Sequence, residues 1–137
     1  MPSNRFPLTL LAERFAVCRL DPDAPTPEAV LAAGGPFASV TRTEDELCVV
    51  CAEADVPGTA VQVERGFRAF KLEGPVPFTT VGVISSLSKP LADAGIGIFV
   101  VSTYDTDYLM VNEANVGRAS KLLTTAGYPV SGPSDAV

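Results

Sequence analysis

Residues 41–50, Thr-Arg-Thr-Glu-Asp-Glu-Leu-Cys-Val-Val, lie over residues 102–111, Ser-Thr-Tyr-Asp-Thr-Asp-Tyr-Leu-Met-Val, without a gap. Each copy is a polar, acidic turn followed by an apolar run. Residues 15–20 overlay residues 67–72 in the same manner. A repeat of this kind constrains a fold more than any single residue does, because each copy has to be one supersecondary unit. The interval from the overlaid strand to the turn is shorter in the first copy, so its helix must be shorter as well.

The second copy shows what the unit is. Residues 67–73 alternate, with Phe70 and Leu72 on one face and Ala69, Lys71 and Glu73 on the other, which is the period of a half-buried strand. From about residue 81 to 94, Ile84, Leu87, Leu91 and Ala94 recur at intervals of three and four, the helical period, and Gly95 suits its end. Pro90 must kink that helix or begin a fresh turn, since it has no N–H for the carbonyl of Ser86. Apolar residues 96–101, a polar connection at 102–107 and apolar residues 108–111 form a β-hairpin, whose long connection leaves groups free to hold a ligand. Val116, Ala119, Leu122, Leu123 and Ala126 mark a second amphipathic helix, ended by Gly127. A strand, helix, strand, strand, helix order is most of a split βαβ unit.

The first copy is cruder. Residues 8–11 and 15–20 read as two short strands. Thr26 is a fair N-cap, with Pro27 at the first position of a helix that stops at Gly34-Gly35. Residues 37–42 and 47–52 make a strand pair, and 56–59 a linker. The expected class is α+β: tandem ferredoxin-like βαββαβ units, the first degenerate, over residues 1–62 and 63–130, with a tail at 131–137.

Charge and composition narrow the function. The net charge is −6, and the ten Lys and Arg are scattered, so a nucleic-acid partner is not expected. Residues 1–20 carry Arg5, Glu13 and Arg14 around a short apolar run, which is neither a leader nor a membrane span, so a cytoplasmic protein without a membrane partner is expected. Cys18, Cys48 and Cys51 are odd in number and set among Val, Ala and Leu, which suits packing. Residues 48–51 match C-x-x-C, but strand residues three apart face opposite sides, and no cofactor or metal is expected. No His is present, which removes the commonest general base and metal ligand. That argues against an enzyme.

Glu73-Gly74-Pro75, Val81-Gly82-Val83 and the run from Ser102 to Val111 resemble the CASTOR-type ACT domains, amino-acid-sensing modules akin to aspartate kinase regulatory domains. The first copy departs from that pattern, with Arg42 and an acidic turn in place of Ser-Thr-Tyr. The resemblance implies a free amino acid as ligand. Its carboxylate would meet the helix start at Thr80, Val81, Gly82 and Val83, where unpaired N–H groups and the helix dipole favour negative charge. Its ammonium would meet Asp105 or Asp107 and the carbonyls of Ser102, Thr103 and Tyr104, with Thr106 in the same loop and Phe78 or Tyr104 as a wall. On spacing alone, Asp105 and Asp107 read as turn residues that hydrogen-bond their own backbone. The strands at 98–101 and 108–111 and their helices would leave apolar surface for a partner chain, so a homodimer is expected; a ligand-free dimerisation module, pairing through exposed sheet edges, is the rival reading.

Overall fold

The computed structural model describes residues 5–33 and 35–133. Their contacts divide the chain into two compact units, Glu13–Phe67 and Met1–Ala12 with Arg68–Val137. The elements in chain order are β1 (Leu8–Leu10), β2 (Phe15–Leu20), α1 (Glu28–Ala32), β3 (Ser39–Arg42), β4 (Leu47–Ala52), β5 (Gln62–Leu72), α2 (Val83–Asp93), β6 (Phe99–Ser102), β7 (Asp107–Asn112), α3 (Val116–Thr125) and β8 (Val130–Ser131). The order is that of an α+β fold of βαββαβ type. The first unit lacks the second helix: after β4 only a short 3-10 turn at Glu53–Asp55 precedes β5.

In the Glu13–Phe67 unit, β2 lies antiparallel between β4 and the first half of β5, and β3 flanks β4. One face of these strands buries Ala16, Cys18, Leu20, Leu47, Val49 and Cys51 with Val30 of α1. Cys51 is in this core while Cys48 is only partly buried, as opposite faces of one strand require. The helix starts one residue later than its cap signal implied. Pro27 takes the cap position with no side-chain bond, and the Thr26 carbonyl accepts the Glu28 N–H at 2.9 Å. Gly34 lies outside the described residues; Gly35 has φ +82°.

In the other unit, β7 pairs with β5 and β6. The second half of β5 also pairs antiparallel with β1, and β1 runs parallel to β8. Thus Leu8 does not pair with the strand that follows it in sequence; it faces Leu72 and Val130. The core joins Leu8, Leu10, Phe70, Leu72, Leu109 and Val111 of the strands to Val83, Leu87 and Leu91 of α2 and Val116, Ala119 and Leu123 of α3. The spacing of three and four in both helices is what brings these side chains onto one face. α2 runs through Pro90.

The hairpins of the two units share one internal register. Ser39↔Val50, Val40↔Val49, Thr41↔Cys48 and Arg42↔Leu47 in one correspond to Phe99↔Met110, Val100↔Leu109, Val101↔Tyr108 and Ser102↔Asp107 in the other. Thr43 therefore matches Thr103, one residue away from the match that the acidic turns suggested. Both threonines close the turn alike, each backbone N–H donating to a carbonyl three residues on, Glu46 at 2.9 Å and Thr106 at 2.8 Å. The repeat continues into Glu53-Ala54-Asp55-Val56 and Glu113-Ala114-Asn115-Val116, each opening with a 3-10 turn.

Candidate functional site

A pocket of ≈ 420 Å³ opens in the C-terminal unit between the segment leading into α2 and the β6–β7 connection. It is lined by Val76, Pro77, Phe78, Thr80, Gly82, Val83, Ile84 and Ser85 on one side and by Asp105, Thr106 and Asp107 on the other. Gly82 is the N-cap of α2, at φ 82° and ψ 11°. Left-handed backbone of this kind disfavours residues with a Cβ, so glycine here has a conformational reason. Its carbonyl accepts the Ser86 N–H at 3.0 Å and the Ser85 hydroxyl at 3.2 Å. No side chain caps the helix, which leaves the N–H groups of its first turn, and the positive end of its dipole, to the pocket.

The opposite wall is a tightly determined turn. The Thr106 N–H donates to Thr103 Oγ1 at 3.3 Å, and the Thr106 hydroxyl, buried, donates to the Leu72 carbonyl. The Val76 N–H donates to the Asp105 carbonyl at 2.8 Å, tying one wall of the pocket to the other. Gly74 permits this approach, since a Cβ there would lie 2.5 Å from the Val76 nitrogen and 3.2 Å from the Asp105 oxygen. Ser102 donates its hydroxyl to the Asp107 carboxylate. Two acidic residues thus line the pocket that the α2 N-terminus enters, and the pocket lining holds no basic residue.

Of the residues expected at the site, Phe78, Thr80, Gly82, Val83, Asp105, Thr106 and Asp107 line this pocket. Val81, Ser102, Thr103 and Tyr104 do not. Ser102 adjoins it through Asp107, and Tyr104 packs on Phe78 with ring centroids 5.1 Å apart. Thr103 lines a neighbouring pocket of ≈ 320 Å³ together with Lys71, Glu73, Gly74, Asp105 and Thr106. Val76, Pro77 and Ser85 were not anticipated, whereas Ile84 closes the helix start expected at the site. Ile84 has the spacing of a core residue, and no sequence signal set Val76 and Pro77 apart from a turn.

The β3–β4 turn of the first unit does not repeat the Ser102–Asp107 pair. By the shared hairpin register, Arg42 stands where Ser102 stands, and Leu47, fully buried, where Asp107 stands. The Arg42 guanidinium donates to the carbonyls of Pro22 and Ala24, ahead of α1. A pocket of this unit, ≈ 510 Å³, lies instead between residues 25–30 and 54–59.

Burial pushes the Cys51 thiol up to about 12, and burial also raises Cys18 and Cys48. All three are free. Among the described residues, no group of three or more His, Cys, Asp or Glu side chains is placed to hold a metal ion, and no helix is long and apolar enough to cross a membrane.

Comparison with known proteins accords with this geometry. The ACT domain family model matches residues 62–125, and a second model, described as an N-terminal domain, matches residues 13–59. The human putative protein CASTOR3P is 29% identical over 89 residues. Residues 62–125 belong to the ACT domain family, and the chain is similar to the CASTOR-type proteins. The CASTOR3P match covers 55% of this chain and 53% of that protein, so this ACT-type chain spans about half the length of the human relative. Protein Atu0741 from Agobacterium tumefaciens is 36% identical, with a TM-score of 0.84 and 94% of each chain covered. The regulatory subunit of aspartate kinase from Thermus flavus shares the fold at 11% identity, with a TM-score of 0.62, covering 88% of this chain and 96% of that one. The ACT model takes in both walls of the pocket, since residues 76–85 and 105–107 fall within 62–125.

Proposed function

We propose that this chain is a regulatory ligand-binding module that takes a free amino acid in the pocket between the start of α2 and the 103–107 turn. One observation carries the reading: Asp105 and Asp107 line the same pocket as the uncapped N-terminus of α2. A zwitterion needs hydrogen-bond donors for its carboxylate and an acidic acceptor for its ammonium a few ångströms away. The first-turn N–H groups of α2 supply the former, helped by the dipole. The Asp carboxylates supply the latter through charge-assisted bonds. Val76, Pro77 and Ile84 give the side chain an apolar surround. The family and the aspartate kinase regulatory subunit support a module that regulates rather than one that catalyses.

A melting-temperature screen of the free amino acids, followed by calorimetric titration, tests this reading. Loss of a charged hydrogen-bond partner costs about 1.5–3 kcal/mol, so Asp105→Asn or Asp107→Asn should weaken binding roughly ten- to a hundredfold with the fold intact. If both variants bind as the parent does, the ammonium is held elsewhere. If no amino acid binds the parent, the site reading fails.

We further infer a homodimer of cytoplasmic protomers. Its support is the edge position of β6, which has β7 as its one partner strand among the described residues. A monomeric mass by light scattering at micromolar concentration, with and without amino acids, would count against it.

A further inference from the structure

Phe78 and Tyr104 are 79% and 81% exposed, an unfavourable placement for two large rings. Each comes from one of the two segments that wall the pocket, Phe78 from the entry to α2 and Tyr104 from the turn next to Asp105. Phe78 lines the pocket, and the two rings meet with centroids 5.1 Å apart at an interplanar angle of 31°. Such high exposure puts their contact at the solvent side of the pocket and not within it. The walls are already joined deeper in by the Val76 N–H to Asp105 carbonyl bond. A second link between them is therefore not needed to build the turn.

We propose that Phe78 and Tyr104 form a clasp across the mouth of the pocket, one that a ligand must part to enter and that re-forms over it once bound. This rests on the amino-acid-site reading. An exposed aromatic pair of this geometry favours the closed form by about two- to tenfold. A contact of that strength delays passage in both directions without barring it, since the open form remains well populated. Gating and mere wall contact differ in their kinetics. A clasp slows association and dissociation together, whereas a simple contact with bound ligand slows dissociation alone.

The test titrates the twenty free amino acids singly and measures rate constants, by exchange-resolved NMR, for those that raise the melting temperature. Phe78→Ala and Tyr104→Ala are each expected to raise both rate constants about two- to tenfold, with a smaller change in Kd. Tyr104→Phe, which keeps the ring, should behave as the parent. A dissociation rate that rises while association is unchanged, or rates unaltered in both alanine variants, overturns the clasp and leaves the site standing. No binding of any amino acid to the parent overturns the site reading and the clasp with it.

Discussion

Gly74→Ala tests the account of how the pocket is built, because its effect follows from backbone geometry and not from any ligand. An added Cβ would sit 2.5 Å from the Val76 nitrogen and 3.2 Å from the Asp105 carbonyl oxygen. Those are the two ends of the 2.8 Å hydrogen bond that ties the pocket walls together. Both obstacles are backbone atoms, so no rotamer change relieves them; the chain must move and the bond must lengthen or break. Overpacking of this kind costs about 1–3 kcal/mol and loss of the hydrogen bond about 0.5–1.5 kcal/mol, or about 2–4 kcal/mol together. For a domain of this size that lowers the melting temperature by on the order of 10 °C. Circular dichroism melts of the parent, Gly74→Ala and a control, Gly117→Ala, measure it. Gly117 lies within α3 with nothing within 4 Å of a Cβ, so alanine there should stabilise by about 0.5–1 kcal/mol. A Gly74→Ala protein that melts within ~2 °C of the parent would refute the argument.

Other perturbations probe single links. Gly82→Ala meets only Ser85 Oγ, at 3.7 Å, so its penalty is conformational, about 1–2 kcal/mol in urea unfolding from the left-handed backbone. Thr106→Val keeps the shape but removes the hydroxyl that donates to the Leu72 carbonyl, and should destabilise by about 0.5–1.5 kcal/mol in the same assay. The raised thiols predict slow labelling by a disulfide reagent at pH 8 in the native protein, with Cys18 and Cys51 unreacted, and rapid labelling of all three after unfolding. Because the folded Cys51 value stands above its ordinary 9.0, the folded form holds the proton longer. Stability is therefore full below about pH 9 and should fall as pH rises from there towards about 12. Urea midpoints measured across that window check the sign.

The elements that local periodicity specifies were readable in advance. The 96–111 hairpin and α3 declare themselves through alternation and through a three-and-four spacing ended by Gly127, and the core takes the side chains those patterns offer. Long-range pairing was less readable. Nothing local in Leu8–Leu10 says that it joins β5 and β8 and not β2, because a short apolar strand fits any edge of suitable register. The repeat was visible, but its register was set by matching acidic turns, whereas the cross-strand pairs place Thr43 over Thr103. The clearer signal was Glu-Ala-Asp-Val over Glu-Ala-Asn-Val downstream. At the pocket, the resemblance pointed to Asp105, Asp107 and Gly82. Val81 and Ser102 were expected with them as members of the same motifs, but strands and turns send neighbouring residues to different sides.

The place of β1 bears on the order in which the molecule is made. Its partners are the second half of β5 and, in parallel, β8, so residue 8 rests against residue 130. On the ribosome, β1 must wait, unpaired on at least one side, until β8 has left the exit tunnel. In the Glu13–Phe67 segment, by contrast, β2 pairs β4 and the first half of β5, and β3 pairs β4, so these pairs can close while synthesis continues. The unit that carries the pocket thus closes only once β8 is available, after the Glu13–Phe67 unit.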